Sequence, residues 1–122
     1  QRRAFSATFA HHLHLTRLPF RHTFTYVHFE WNPEKNEQLK AERGISFEEI
    51  ALLLSQGILW KTAQHPNPKK YPNQQVFLIP VNNYIYFVPY VIDGDTFFLK
   101  TAYPSRKATH DYFKEKGLLD EN

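Results

Sequence analysis

Residues 29–49, FEWNPEKNEQLKAERGISFEE, predict a short strand, a helix, a turn and the start of a second helix. Asn32 is suited to cap the first helix, because its side-chain oxygen can accept a hydrogen bond from a free backbone N–H of the first turn. Pro33 suits the first helical position, where its missing N–H costs nothing. Gly44 suits the residue past the helix end, where the chain often turns left-handed. These signals place the first helix at about residues 33–43.

The second helix is predicted at about residues 47–56. Ser46 is followed three residues later by Glu49, which is the spacing of a capping box. The apolar residues of this helix recur at helical spacing and therefore form one buried stripe. They are Phe47, Ile50, Ala51 and Leu54.

Four strand-like segments follow, at residues 58–64, 76–81, 84–92 and 96–103. The pairs Asn82-Asn83 and Asp93-Gly94 are hairpin signals, because these residue types tolerate positive φ. Residues 65–73 hold three prolines and are predicted to form a loop. Pro89, inside the third segment, predicts a bulge or an edge.

Ser105 can cap a last helix at about residues 106–116. Hairpin turns join the later strands, so their sheet is predicted to be antiparallel. We expect four to five strands with the helices packed on them, which is the α+β class.

The composition fits one domain. The chain has 122 residues, of which 42% are apolar and 16% aromatic, and this is enough to fill a core. The lack of cysteine fits a reducing compartment. No apolar run approaches the roughly 18 residues of a membrane span. We place the domain at residues 27–117, followed by a short tail at residues 118–122.

Residues 1–26 differ in composition from the rest. They hold four arginines and no acid, and because the whole chain carries +3, residues 27–122 carry −1. We interpret this segment as an upstream extension, possible alternatives being a transit peptide or a disordered tail. His11, His12 and His14 lack a neighbouring acid or cysteine that could complete a metal site. The stretch 23–31 alternates like a strand and can lengthen the first strand.

Outside this segment, the basic residues concentrate on the later strands, the loop and the start of the last helix. They are Lys61, Lys69, Lys70, Lys100, Arg106 and Lys107. Gathered on one side of the sheet, they would form the positive patch that a phosphate-bearing ligand requires. Tyr71, Tyr90 and Tyr103 neighbour these cations in sequence, and such rings can stack on unpaired bases. The alternative is that these lysines and arginines are ordinary solvent-exposed charges.

Three residues have a further chemical reason to be functional. Arg106 and Lys107 fall in the first turn of the last helix, where cations oppose the helix dipole, and this favours an anionic partner. His65, at a strand end, could transfer a proton near neutral pH, although a single loop histidine is commonly incidental. The sequence has no glycine-rich phosphate loop, nucleophile elbow or zinc-spaced Cys/His set. We therefore expect no cofactor and no metal.

The stretch from FEWNP to SFEE resembles the start of the BrnT toxin family, the toxin half of bacterial type II toxin–antitoxin pairs. That family reads F-E-W-D, then D-P-x-K, a helix, a glycine and S-F-E-E; here Asn32 stands in place of the usual aspartate. Residues 103–109, YPSRKAT, are similar to the S-A-R-x-A-T-like turn before the family's last helix. The resemblance covers about residues 28–113.

The resemblance implies a RelE/ParE-like fold and a cytoplasmic ribonuclease that cleaves RNA and blocks translation. It also implies a ribbon-helix-helix antitoxin encoded nearby as partner. For metal-independent cleavage we assign His65 or Lys69 to proton transfer, and Lys100 and Arg106 to the phosphate. Tyr71 would place a base, and Lys61, Lys70, Tyr103 and Lys107 would complete the RNA-binding set.

Two other functions stay open. Gln74-Gln75 stands near the position where the family carries an E-R pair, which favours a non-catalytic module that binds an antitoxin, DNA or another protein. A toxin directed at gyrase is the third hypothesis, because RelE-like folds host more than one function.

Overall fold

The computed structural model describes the backbone of residues 14–17 and 24–117, and the side chains of residues 28–117. Its elements, in chain order, are β1 (His14–Arg17), β2 (Phe24–Trp31), α1 (Pro33–Arg43), α2 (Phe47–Ser55), β3 (Lys61–Gln64), β4 (Gln75–Val81), β5 (Tyr84–Asp93), β6 (Thr96–Leu99), β7 (Tyr103–Pro104) and α3 (Arg106–Glu115). The predicted α+β class is confirmed. No helix in this described part is long and apolar enough to cross a membrane.

The capping signals of the opening stretch act as predicted. Asn32 Oδ1 accepts from the backbone N–H groups of Glu34 at 2.8 Å and Lys35 at 3.1 Å. Gly44 ends α1 with φ +68°, a left-handed conformation that glycine adopts without a side-chain clash. Ser46 Oγ then accepts from the Glu49 N–H at 3.1 Å and opens α2.

The hairpin-joined strands β3 to β6 pair antiparallel, as predicted, but the described sheet as a whole is mixed and has more strands than the predicted four to five. The seven strands run in the order β1-β2-β6-β5-β4-β3, with β7 beside β5. β2 pairs in parallel with β6, with Trp31 opposite Leu99. The hairpin signals of the sequence concern strands that follow each other in the chain. They carry no information on the parallel partner of β2, which is β6 and follows more than sixty residues later.

The sheet has helices on both faces. On one face, α1 and α2 cover the larger core, in which the α2 stripe meets alternate residues of the strands. That core includes Phe29, Trp31, Phe77, Ile79, Val88, Tyr90, Phe97 and Leu99. Trp31 stacks on Phe47 with ring centroids 5.6 Å apart, and this contact joins β2 to the start of α2.

α3 lies on the opposite face over a smaller cluster. Val76, Leu78, Ile85 and Ala108 form the cluster, with Trp60, Phe87 and Tyr112 packed against it. Thr109 fixes the helix to the sheet, because its hydroxyl accepts from the Ile85 N–H at 2.8 Å and donates to the Ser105 carbonyl at 2.7 Å.

α3 covers only part of this face. We call the part that no described helix covers the open face and define it by Glu30, Val91, Phe98, Lys100 and Tyr103, of which Phe98 has a further contact. The register supports the definition, since Glu30 and Val91 both pair with Phe98, and Tyr103 pairs with Phe87. These residues are half-buried, except Lys100, which is exposed.

Most of the segment 1–26, including His11 and His12, and the tail 118–122 lie outside the described residues. The described part of the segment forms β1 and the first residues of β2, whose backbones pair with His14 opposite Val27. The domain boundary at Val27 therefore falls inside one continuous strand, and the predicted lengthening of the first strand is confirmed.

Asn36 is the buried polar residue that joins α1 to α2, and its loss should destabilise the fold. Its Oδ1 accepts from the Phe47 N–H at 2.7 Å, and its Nδ2 donates to Glu48 Oε1 at 2.8 Å. Asn36→Ala leaves that buried N–H without a partner, which should lower the free energy of unfolding by about 1–3 kcal/mol. Denaturant titration measures the change. Gln38→Ala, an exposed change on the same helix, should stay within about 0.5 kcal/mol of the parent, and an equal effect of both variants would contradict the assignment.

Candidate functional site

The loop at residues 65–74 is closed by its own backbone. The His65 N–H donates to the Gln74 carbonyl at 3.2 Å, and the Tyr71 N–H donates to the Asn67 carbonyl at 2.9 Å. Prolines at three positions limit φ between these bonds. These bonds and prolines therefore restrain the backbone of the loop between the end of β3 and the start of β4.

His65 and Tyr71 form the centre of this loop. Their ring centroids lie 4.4 Å apart, and Lys70 Nζ lies 5.4 Å from the Tyr71 ring centroid. His65 Nδ1 accepts from the Asn67 N–H at 3.0 Å. A neutral imidazole has one donor and one acceptor nitrogen, so this bond leaves the hydrogen on Nε2. His65 in this arrangement offers a hydrogen-bond donor to a ligand, and it must release Asn67 before Nδ1 can accept a proton.

Lys100 lies on the open face because alternation along the strand puts it on the same side as Phe98, and a bulge follows it. Between the pairs Tyr90–Leu99 and Phe87–Tyr103, two residues of β5 face three residues of the other strand. The Lys100 N–H donates to the Pro89 carbonyl at 2.8 Å, and Lys100 Nζ lies 5.0 Å from the Phe98 ring centroid. Pro89 has no N–H for the ladder, so the break occurs opposite the proline, as the sequence predicted.

Tyr103 connects the loop with the open face. Its ring lies 5.4 Å from that of Phe87, and burial raises the pKa of its hydroxyl. The neighbouring charge of Tyr71 raises this pKa further, whereas the Arg43 guanidinium lowers it. Tyr71 and Arg43 are therefore both within electrostatic range of Tyr103, and the Tyr103 hydroxyl stays protonated at neutral pH.

Arg43 was not among the sequence-predicted site residues. Its Nη1 donates to the Ala102 carbonyl at 3.1 Å, which fixes the bulge that carries Lys100. A basic residue in the last turn of a helix is expected from the helix dipole alone, so this contact could not be predicted from the sequence. Glu30 was missed as well, because its place opposite Phe98 depends on the parallel pairing of β2.

Three predicted cations lie elsewhere or are already paired. Lys61 lies beside the end of α3, with Nζ 3.8 Å from Glu115 and 4.2 Å from the Trp60 ring centroid. Lys107 pairs with Asp111 at 3.0 Å, and this hydrogen bond, ahead of other causes, lowers the pKa of the Asp111 carboxyl.

Arg106 is the third of these cations. The N–H of Ser105, the residue before Arg106, donates to the Ile85 carbonyl. This carbonyl is four residues along β5 from the Pro89 carbonyl, which accepts the Lys100 N–H. The two backbone positions are thus about 13 Å apart, at roughly 3.3 Å per strand residue. Ser105 Oγ also accepts the Ala108 N–H at 3.1 Å, so the first turn of α3 already uses one of its free donors. Arg106 is exposed and begins α3, away from Lys100.

A pocket of about 710 Å³ lies beside the loop, where β3 and β5 end and β4 begins. Its lining is Thr62, Ala63, Gln64, Pro72, Asn73, Gln74, Gln75, Tyr90, Val91 and Ile92. None of these side chains is charged. Tyr90 Oη donates to Gln75 Oε1 at 2.9 Å, and this bond sets the orientation of the Gln75 amide. The pocket therefore offers amides and one fixed hydroxyl.

No group of three or more His, Cys, Asp or Glu residues that could hold a metal occurs within the described ranges. In comparisons with known proteins, no family model, curated protein or solved structure matches this chain.

The Tyr90 hydroxyl should make stability fall in alkali. Burial raises its pKa from 10.0 to about 12, so between these values the folded state holds a proton that the unfolded state loses. The free energy of unfolding should therefore decline as pH rises from 10 to 12, and less so in Tyr90→Phe. Denaturant titrations at a series of pH values measure both slopes. Tyr84→Phe, at an exposed tyrosine of the same strand, should retain the parental slope. Identical slopes in the parent and Tyr90→Phe would contradict the buried hydroxyl.

Proposed function

We propose that this chain is a metal-independent ribonuclease that acts as the toxin of a type II toxin–antitoxin pair. The proposal is carried by one observation. His65 and Lys70 contact the Tyr71 ring at the loop, and Lys100 lies over Phe98 on the neighbouring open face. Aromatic rings beside cations suit single-stranded RNA, because the rings can stack on bases while the cations contact phosphates.

The cations available for phosphate are those without an acidic partner. Among the described residues, Lys69, Lys70, Lys100 and Arg106 form no salt bridge, unlike Lys61 and Lys107. An unpaired ammonium group keeps its full charge for an incoming anion. Glu30 lies on the same face and works against any anion close to it. We therefore place the phosphate on the side of Lys100 that faces the loop, away from Glu30.

The proposed reaction is attack of the RNA 2′-hydroxyl oxygen on its own phosphorus. A P–O bond to that oxygen forms and the bond to the 5′-oxygen breaks, which leaves a 2′,3′-cyclic phosphate and a 5′-hydroxyl. One proton leaves the 2′-hydroxyl and one reaches the 5′-oxygen, with His65 or Lys69 as the transferring group. Lys100 and Lys70 stabilise the charge that grows on the phosphoryl oxygens, and Arg106 can reach only a more distant phosphate.

Lys100→Ala should abolish most of the RNA cleavage and toxicity. The loss of one charge-stabilising donor costs on the order of 10²–10³ in rate. Induced expression followed by primer extension detects cut transcripts in cells, and purified protein with single-stranded RNA and a chelator gives the rate. Lys40→Ala is the matched control, because Lys40 is an exposed lysine of α1 on the opposite layer. Full toxicity of a folded Lys100→Ala variant would refute the assignment.

Two replacements of His65 distinguish donation of a hydrogen bond from transfer of a proton. Gln retains an N–H donor near the position of Nε2 but cannot carry a proton at neutral pH. If His65 only donates, His65→Gln should remain near the parental rate while His65→Ala falls. If His65 transfers the proton, both variants should lose about 10²–10⁴ in rate. Single-turnover cleavage rates decide between the two roles, and full activity of both variants would exclude His65 from the site.

The second candidate is a non-catalytic module of the same fold. It is favoured by the neutral pocket, where Gln74 and Gln75 stand in place of a charged pair. Normal growth on induced expression, with intact transcripts, would support this candidate, and DNA damage signals would point to a gyrase-directed toxin instead. For either toxin, we propose a ribbon-helix-helix antitoxin as the partner, and co-expression of the neighbouring reading frame should restore growth.

A further inference from the structure

The pocket beside the loop has the chemistry of a nucleobase site. Its volume of about 710 Å³ falls in the range of small-molecule pockets. Its walls combine apolar surface from Pro72, Val91 and Ile92 with the amides of four residues, Gln64, Asn73, Gln74 and Gln75. Uncharged amides suit an uncharged ligand that carries both donors and acceptors, and Asn and Gln are the side chains that commonly pair with base edges.

The pocket and the proposed phosphate contacts belong to the same loop. Ala63 and Gln64 line the pocket directly before His65, and Pro72 and Asn73 line it directly after Tyr71. The pocket thus adjoins both ends of the loop segment that carries the His65–Tyr71 stack and Lys70. A nucleotide bound at this loop would place its base in the pocket and its phosphate toward Lys70.

Gln75 differs from the other amides because its orientation is fixed. Tyr90 Oη donates to its Oε1, and the Tyr90 ring is held by stacking on Phe77, with centroids 3.9 Å apart and planes within 10°. The raised pKa of Tyr90, about 12, keeps this hydroxyl a donor at every physiological pH. With Oε1 engaged, the Gln75 amide presents its N–H groups to a ligand.

From this arrangement we infer that the pocket binds an unpaired nucleobase, and that Gln75 favours bases with a carbonyl oxygen on the pairing edge over adenine. This inference rests on the proposed function, since it names the RNA that the same site would take. Uracil, cytosine and guanine each present a carbonyl oxygen to the fixed N–H groups, whereas adenine has none. The remaining amides can rotate to match either a donor or an acceptor, so the preference comes from Gln75.

Fluorescence anisotropy with labelled 2′-O-methyl oligouridylate and oligoadenylate of equal length tests this, because the 2′-O-methyl group prevents cleavage. The parent should bind oligouridylate roughly tenfold tighter or more, the discrimination expected of one well-placed base contact. Gln75→Leu should bring the ratio close to one while binding persists through the lysines. Tyr90→Phe, which frees the amide but retains the ring stack, should lower the ratio in part. Gln38→Leu, an exposed glutamine change on α1, should leave the ratio unchanged.

The outcomes separate the inference from the function on which it rests. If the parent binds both oligonucleotides equally, or if folded Gln75→Leu retains the parental ratio, the base pocket is refuted and RNA binding stands. If the parent binds neither oligonucleotide, the proposed function fails together with the pocket. Thermal unfolding of each variant checks that Gln75→Leu and Tyr90→Phe are folded. If one of the two variants does not fold, the other still tests the role of Gln75.

Discussion

The candidate site depends on one irregularity in the sheet, the bulge opposite Pro89. A proline inside a central strand cannot donate to the ladder, so the partner strand is free to leave the regular register at that point. The chain uses this freedom between Leu99 and Tyr103, where the Lys100 N–H bonds to the Pro89 carbonyl and Arg43 holds the carbonyl of Ala102. In a regular strand without this extra residue, Tyr103 would point to the opposite side of the sheet.

The parallel pairing of β2 with β6 sets what surrounds that bulge. It brings Trp31 beside Leu99 in the larger core and, on the other face, Glu30 beside Phe98. The same strand thus stabilises the fold through one face and places a carboxylate near Lys100 through the other. This acid disfavours an anion close to it, and for that reason the phosphate position proposed above is on the loop side of Lys100.

Local signals were sufficient for the helices and insufficient for the site. Asn32, Gly44 and Ser46 determine helix ends through contacts within a few residues, so the sequence predicts them well. Pro89 is likewise a local signal, because it predicts the bulge in the sheet at its own position. By contrast, the partner of Lys61 is Glu115, and the partner of β2 is β6; both lie more than fifty residues away along the chain. The sequence cannot show that Lys61 is neutralised, because Glu115 comes near it only when α3 packs on the sheet. The Lys107–Asp111 pair, by contrast, lies at i,i+4 spacing on one helix and is a local signal.

The neutral pocket and the charged loop side divide the chemistry between them. Amides can read a base through hydrogen bonds, but they cannot carry a proton or oppose the charge of a pentavalent phosphorus at neutral pH. If the chain cleaves RNA, the groups that move protons must therefore come from the His65 side of the loop, and Gln74 and Gln75 serve recognition only. The lack of a charged pair in this pocket therefore does not exclude catalysis under the proposed function. The chemistry would then fall to the loop, whose ends are held together by the His65–Gln74 bond.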